Sequence, residues 1–190
     1  MHVKYAQTAN KTSRNTGVNM ELIKEIFGSV KIYKLKSRDD NRGNLTYVCD
    51  DSIEGFTAKE TRTYQMPKAG TFFGIHYREE ISPMAKFVTV IQGKGMDYVI
   101  DLRKDSPTYL QYESFELSDE NNLAVLVPAG IGHAFISLED NTIQVYTIDR
   151  SGNDGHSKQI NFADDKIGLK LPIPISEISD YDQNAPFIVE

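Results

Sequence analysis

Short runs that mix apolar and β-branched residues fill the middle of the chain and predict β-strands. Between residues 71 and 148 these runs are rich in Val, Ile, Phe, Tyr and Thr, and Gly, Pro, Asp, Asn or Ser separates them. Short strands with regularly spaced turn signals indicate an all-β sandwich or barrel. The predicted strands cover residues 71–77, 86–91, 96–101, 110–117, 123–127, 133–138 and 142–148.

The flanking segments carry weaker patterns. Residues 30–35 alternate apolar and basic side chains, which predicts a half-exposed strand with an open edge. Helical periodicity supports only two short flanking helices. One is expected over residues 21–27, and the other near residues 176–180, where Ser176 is a candidate cap.

The chain predicts one folded domain. Its 190 residues are enough for one substantial core and few for two. Residues 1–19 are polar and predict a flexible arm, which leaves residues 20–190 as a single domain. From Pro172 onward we expect a tail that wraps the barrel.

Composition argues against several classes of protein. The net charge of −6 is unlike the basic surplus of a general nucleic-acid binder. No apolar run approaches the ~20 residues of a membrane span, and the first residues lack the apolar core of a secretory signal. Cys49 is the only cysteine, so no disulfide can form within the chain. These features predict a cytoplasmic protein that binds neither nucleic acid nor membrane.

Two ionisable side chains stand in successive predicted strands. His76 lies late in the strand at 71–77, and Lys86 opens the strand at 86–91. His76 could be a hydrogen-bonded core histidine, and Lys86 a charge that protects an edge strand. A base and a cation set among apolar residues are also what a proton-transfer site requires. This segment alone leaves both explanations open.

A glycine-rich turn places a second histidine at the start of a strand. Residues 128–133 read Pro-Ala-Gly-Ile-Gly-His, which resembles the second motif of the cupin superfamily, where the histidine is a metal ligand. The matching first motif would be His76-Tyr77-Arg78, with an arginine in place of a second histidine. Two histidines without a third ligand argue against a catalytic metal. We therefore expect a cupin-like jelly-roll barrel that holds no metal.

The remaining motifs resemble one cupin family closely. From about residue 39 to residue 186 the chain is similar, in order, to the dTDP-4-dehydrorhamnose 3,5-epimerase family. The most specific run is Asp-Leu-Arg-Lys-Asp-Ser-Pro-Thr at residues 101–108. The other matches are Gly-Ile-His-Tyr at 74–77, Ala-Lys-Phe-Val at 85–88, Gln-Gly at 92–93, Met-Asp at 96–97, Pro-Ala-Gly-Ile-Gly-His-Ala-Phe at 128–135 and Phe-Ala-Asp at 162–164.

The resemblance implies epimerisation of a nucleotide-linked 4-keto-6-deoxy sugar at C3, C5 or both, without a cofactor. Loss of a proton from either carbon leaves an enolate, so the reaction requires a base, a partner for the C4 oxyanion and an acid on the opposite face. The resemblance implies that His76 is the base and Asp182 the carboxylate that orients it. It implies that Lys86 stabilises the oxyanion and that Tyr146 is the acid. Supporting or substrate-binding positions match Arg42, Asp97 and His133.

These residues also have ordinary structural explanations. Tyr146 could be a core aromatic of its strand, Asp97 could pair with a lysine or a backbone amide, and His133 could satisfy its turn. The choice of Asp182 depends on the register of the tail, because Asp180 stands two residues before it.

Two departures from the family concern the residues that bind the nucleotide. The family has an arginine at or next to the position of Phe73, and a tandem Tyr-Tyr where residues 147–152 read Thr-Ile-Asp-Arg-Ser-Gly. Arg78 or Arg150 could compensate for the missing arginine. The loop at 64–70 is also shorter than usual, which predicts a changed substrate pocket.

Three functions follow as hypotheses. The first is the epimerase, and the second is a related isomerase that moves the keto group between C3 and C4. The third is a sugar-binding cupin that has lost turnover, which Phe73 motivates. A homodimer is also expected, both from the resemblance and because a second copy can cover the open edge predicted at residues 30–35.

Overall fold

A computed structural model describes residues 20–79, 83–151 and 157–189. The predicted arm, residues 1–19, lies outside the described residues, so the division into an arm and a domain stays a prediction. The described part contains one short helix, α1 (Asp180–Gln183). Its strands are β1 (Glu21–Ile26), β2 (Val30–Lys34), β3 (Ser37–Asp40), β4 (Gly43–Thr46), β5 (Glu60–Met66), β6 (Thr71–Tyr77), β7 (Lys86–Gln92), β8 (Lys94–Asp101), β9 (Tyr112–Ser118), β10 (Leu123–Val127), β11 (Ile131–Ser137), β12 (Thr142–Ile148), β13 (Lys158–Gln159) and β14 (Glu177–Ile178).

Two sheets form the body of the fold. One runs in the order β1-β2-β10-β7-β12-β5 and the other in the order β13-β6-β11-β8-β9, with β14 added parallel to β6. Strands that are distant in sequence are neighbours, as where β10 lies between β2 and β7. Such long connections between antiparallel strands are typical of jelly rolls. The all-β architecture predicted from the sequence is confirmed.

The main core lies between the two sheets. Val88 and Val125 from the first sheet belong to one apolar cluster with Val99 and Phe135 from the second. All four are fully buried, and removing such apolar surface from water is the dominant stabilising term in folding. The packing fixes how the strands of the two sheets face each other, and so positions the site described below.

A C-terminal segment covers the outer face of the second sheet. Ile160 and Ile167 pack with Phe72, Ile75 and Ile136 in a second apolar cluster. Strand β11 is buried along its whole length, because one face meets the core and the other meets this segment. After Pro172, the side chains of Ile173, Ile175, Ile178 and Ile188 pack against the same cluster. The predicted wrapping tail is therefore confirmed, and it brings α1 against β6.

The helix predicted over residues 21–27 is wrong. The segment forms β1, which pairs antiparallel with β2 from Glu21 opposite Lys34 onward. Phe27 and Gly28 adopt positive φ angles of 53° and 65° at the turn between the two strands. Two successive residues with positive φ reverse the chain into a hairpin, and pairing with β2 then outweighs a weak helical pattern.

The second helix lies later than predicted. Residues 177–178 form β14 beside β6, so Ser176 does not cap a helix. Ser179 is the N-cap of α1, where its side chain accepts a hydrogen bond from the backbone N–H of Asp182. The prediction chose the earlier of two serines that can each cap a helix.

The open edge predicted at residues 30–35 is also wrong. Strand β2 lies inside its sheet between β1 and β10, and Ile32 and Tyr33 are buried. Among the residues that the structure describes, the edge strand on this side of the sheet is β1, where Leu22 and Ile23 are 50% and 51% exposed. A partner strand on this side of the sheet would therefore pair with β1.

Candidate active site

A cavity of about 350 Å³ opens between the two sheets. Strands β5, β7 and β12 form one wall, and β6 and β11 form the other, while α1 and the residue before it close one side. The lining residues are Arg62, Tyr64, Phe73, His76, Arg78, Met84, Lys86, Val88, His133, Gln144, Tyr146, Ile148, Ser157, Ser179, Tyr181 and Asp182.

A histidine and a carboxylate meet on the β6 wall. Nε2 of His76 lies 2.6 Å from Oδ1 of Asp182, and the other carboxylate oxygen accepts the backbone N–H of Gly74 at 3.3 Å. Asp182 is buried, whereas His76 keeps about a quarter of its side chain exposed to the cavity. When Nε2–H donates to the carboxylate, Nδ1 is left with the lone pair that can accept a proton.

A second histidine–carboxylate pair stands beside the first. His133 on β11 is directly opposite His76 on β6, and its Nε2 lies 2.8 Å from Oδ2 of Asp97 on β8. Asp97 is fully buried. Burial raises the pKa of Asp97, although His133 and Lys86 act in the opposite direction. Asp97 therefore lies behind the cavity and holds His133 at its wall.

Lys86 presents its ammonium group at the same end of the cavity. Its side chain is partly open to the cavity but enclosed by protein. Burial and the nearby guanidinium of Arg78 lower the pKa of Lys86 to about 8, although Asp97 favours the charged form. A group with this pKa carries its positive charge at neutral pH and loses it in mildly alkaline solution.

Tyr146 faces the cavity from β12, across from the histidines. It is opposite Arg62 on β5, and the guanidinium carbon of Arg62 lies 6.0 Å from the centre of its ring. Arg62 is also held by Glu60, with Nε 2.5 Å from Oε1. Tyr146 thus lies beside the guanidinium of Arg62, on the opposite wall from His76.

The structure brings together most of the residues singled out from the sequence. Arg42 is the exception, because it lies at the exposed tip of the β3–β4 hairpin and pairs with Asp40. Asp180, the alternative to Asp182, is exposed at the start of α1. Arg150 does not line the cavity. The predicted residues that do line it are His76, Arg78, Lys86, His133, Tyr146 and Asp182, with Asp97 directly behind.

The lining residues that the sequence analysis did not single out include three polar side chains on two paired strands. Arg62 and Tyr64 lie on β5, and Gln144 lies on β12, opposite Tyr64. Because side chains alternate along a strand, Gln144 shares the inward face with Tyr146, which was the available signal. The ring of Tyr64 contacts Phe73, with ring centres 5.2 Å apart.

The most specific sequence motif lies away from the cavity. Asp101 accepts hydrogen bonds from Arg103, Ser106 and Thr108, and Arg103 also donates to the backbone oxygen of Phe27 at 2.8 Å. Burial would raise the pKa of Asp101, but these hydrogen bonds hold it well below its usual range. The motif therefore ties the loop after β8 to the β1–β2 turn.

The described part of the chain contains neither a cluster of metal-ligand side chains nor a membrane-spanning helix. Within residues 20–79, 83–151 and 157–189, no cluster of three or more His, Cys, Asp or Glu side chains is arranged to hold a metal ion. No helix in those ranges is long and apolar enough to cross a membrane.

Comparison with known proteins decides the family. The sequence profile of the dTDP-4-dehydrorhamnose 3,5-epimerase family matches residues 25–190. The chain belongs to this family. The resemblance seen in the sequence motifs is therefore confirmed.

Members of the epimerase family from several organisms are similar to the chain. A dTDP-4-dehydro-6-deoxyglucose 3-epimerase from Streptomyces bikiniensis is 36% identical over 118 residues, which are 62% of this chain and 60% of that protein. A dTDP-4-dehydrorhamnose 3,5-epimerase from Methanothermobacter thermautotrophicus is 32% identical over 152 residues, 76% of this chain and 82% of that one. The chain thus spans less than two thirds of the length of the first of these relatives.

A solved structure of this epimerase family has the same fold. The crystal structure of dTDP-4-dehydrorhamnose 3,5-epimerase from Bacillus anthracis, with TDP and PPi bound, gives a TM-score of 0.82 at 28% identity. The match covers 89% of this chain and 99% of that chain. The cupin-like jelly roll predicted from the sequence is confirmed.

Proposed function

We propose that the protein epimerises a nucleotide-linked 4-keto-6-deoxy sugar at C3, C5 or both. The observation that carries the proposal is the arrangement around one cavity of a base held by a carboxylate, a buried ammonium group and a tyrosine on the opposite wall. Membership of the epimerase family and the names of its relatives support the substrate class. These relatives include a 3-epimerase and a 3,5-epimerase, so the number of centres inverted stays open.

Proton removal is assigned to His76. Nδ1 takes the proton from the sugar carbon next to the C4 carbonyl, and the electron pair of the C–H bond forms the enolate. Asp182 accepts the hydrogen bond from Nε2–H, which fixes the tautomer and stabilises the imidazolium that results. The backbone N–H of Gly74 donates to the carboxylate of Asp182, and Ser179, the N-cap of α1, accepts the backbone N–H of the same residue.

The negative charge that develops on the C4 oxygen is assigned to Lys86. A cation already positioned in a cavity shielded from water stabilises such an oxyanion strongly. Tyr146 then gives its hydroxyl proton to the opposite face of the enolate, which re-forms the C4 carbonyl and leaves the carbon inverted. Before the next turnover the phenolate recovers a proton from solvent, and the imidazolium of His76 releases to solvent the proton that it took from the sugar. No cofactor takes part in these steps.

The nucleotide part of the substrate requires cations, and the cavity supplies them. Arg62 and Arg78 line it together with Lys86, and guanidinium groups suit phosphate oxygens. Phe73 stands where the family has an arginine, so we assign the contact with the diphosphate to Arg62, which lies across the cavity on β5. This assignment replaces the expectation for Arg150, which is not part of the lining.

The proposal includes a homodimer. The β1 edge carries exposed Leu22 and Ile23, and an uncovered strand edge is a site for pairing. Arg42 does not line the cavity of its own subunit. We therefore propose that it contacts substrate bound to the partner subunit. Mixing Arg42→Ala with His76→Ala should then restore turnover, because hybrid dimers regain one complete site. No recovery from confirmed hybrids would refute this assignment.

Deuterium incorporation tests the activity. The protein is incubated in deuterated water with dTDP-, GDP-, UDP- and CDP-linked 4-keto-6-deoxy sugars, and deuterium at C3 and C5 is followed by NMR and mass spectrometry. Incorporation that is lost in His76→Ala supports the proposal. New keto positions without inversion would indicate the C3/C4 isomerase, and binding without exchange would indicate the silent cupin. A cytoplasmic location stays a prediction that cell fractionation can test.

A further inference from the structure

Gln144 is a buried polar residue in the lining of the cavity. It lies on β12, with Tyr64 opposite it on β5 and Val90 opposite it on β7. Val88 and Phe73 line the same region. Gln144 is only 1% exposed, so its side chain is almost completely removed from bulk water.

The side-chain amide of Gln144 has an unmet hydrogen-bonding capacity. Its Nε2 is buried and has no hydrogen-bond partner among the residues that the structure describes. Most buried polar side-chain atoms in proteins are paired, and an unpaired one costs stability. A leucine would fill a similar volume without this cost. The unpaired amide at this position therefore points to a ligand whose polar group would form the missing hydrogen bond.

The distance to Tyr146 limits what that group can be. Gln144 and Tyr146 are two residues apart on the same face of β12, which is about 7 Å along an extended strand. That separation is close to the width of a hexose ring. With Tyr146 at the reacting carbon, Gln144 is placed beside the same sugar and not beside a distant part of the nucleotide.

We propose that Gln144 binds a hydroxyl group of the substrate's sugar ring and so selects sugars that carry it. A hydroxyl both donates and accepts hydrogen bonds, as does a primary amide, which makes the two groups complementary. In a 4-keto-6-deoxy sugar linked through C1, the hydroxyls available are those on C2 and C3. The inference rests on the proposed epimerase function and deepens it, because it adds a determinant of sugar specificity.

Steady-state rates of deuterium exchange with deoxygenated substrates test the proposal. Gln144→Leu is compared with Gln65→Leu, the same change on the exposed outer face of β5. The substrates are dTDP-4-keto-6-deoxyglucose and its 2-deoxy and 3-deoxy counterparts. We expect Gln144→Leu to lower kcat/KM for the parent sugar by about 10- to 100-fold, mainly through KM. For the counterpart that lacks the bound hydroxyl, kcat/KM should differ by less than about 3-fold between wild type and Gln144→Leu.

Other results would overturn the inference. It fails when Gln144→Leu equals wild type on the parent sugar, or when the variant loses the same factor on all three sugars. Thermal melting adds a second readout, since Gln144→Leu should melt at the same temperature as wild type or higher. Calorimetric titration with the same parent sugar separates this inference from the proposed function. If the wild type binds the sugar but exchanges no deuterium, the proposed function alone is refuted. If wild type and Gln144→Leu bind the sugar equally well, or if neither protein binds it, the inference about Gln144 is refuted.

Discussion

Replacing Lys86 with methionine should stabilise the protein at neutral pH while abolishing turnover. Burial and Arg78 lower the pKa of Lys86 from 10.5 to about 8. Each tenfold loss of proton affinity is worth about 1.4 kcal/mol. Holding this charge therefore costs the folded protein about 3 kcal/mol at pH 7 relative to the unfolded chain. Methionine has a similar length and no charge, so Lys86→Met should recover up to about this amount.

The pH dependence follows from the protons bound in each state. Below about pH 8 the folded and unfolded states both keep the proton on Lys86, and the cost is fully present. Between about pH 8 and pH 10.5 the unfolded chain still holds this proton and the folded protein does not, so wild-type stability gains from this group as the pH rises. The advantage of Lys86→Met should therefore be largest near pH 7 and shrink by about 3 kcal/mol by about pH 10.5.

Urea unfolding at pH 7 and pH 10.5 measures this difference. Comparing two proteins at each pH cancels the titration of every other group. Lys59→Met, at an exposed position just before β5, is the control and should change stability by less than about 0.5 kcal/mol. Deuterium exchange into the sugar should fall by at least about 100-fold in Lys86→Met. A destabilised Lys86→Met, or an advantage that is equal at both pH values, would show that the cavity does not penalise the charge.

The remaining predictions concern three other side chains. Asp182→Asn should slow exchange by about 10²- to 10⁴-fold with an unchanged circular dichroism spectrum, because a neutral amide cannot stabilise the imidazolium that forms on His76; near-normal exchange would contradict this. Tyr146→Phe should still exchange deuterium through the base but yield little inverted sugar, as NMR of the product would show; normal inversion would exclude Tyr146 as the acid. Asp101→Ala should lower the free energy of unfolding by about 3–5 kcal/mol in urea titrations, because Arg103, Ser106 and Thr108 lose the buried carboxylate that accepts their hydrogen bonds; a change below about 1 kcal/mol would contradict the structural role of the motif.

The strands that carry the site were predictable because their composition leaves few alternatives. β6, β10 and β12 begin and end where the sequence indicated, since each is a short β-branched or aromatic run between turn residues. The segment Glu21–Ile26 was not predictable in the same way. Its apolar residues fit a helical period as well as a strand, and pairing with β2 settled the outcome.

The site was predictable only where a motif named its residues. The sequence indicated His76, Lys86 and Tyr146, but not that Arg62 and Gln144 share their cavity. That knowledge depends on β5 pairing with β12, and strand pairing between distant segments is decided by the packing of the whole sheet. For Arg42 the opposite holds. The sequence identified it as a match to a family arginine, but only the structure shows that it lies outside the cavity and pairs with Asp40.

The tail that covers the second sheet also has a consequence for biosynthesis. Asp182 reaches His76 from this tail, after every cavity-lining strand has been made. During translation the two walls of the cavity can therefore assemble on the ribosome before the carboxylate has emerged. A nascent chain at that stage has a barrel, a lysine and a tyrosine, but its histidine is not yet oriented. Under the proposed function, docking of the tail is therefore the step that orients the base and completes the site.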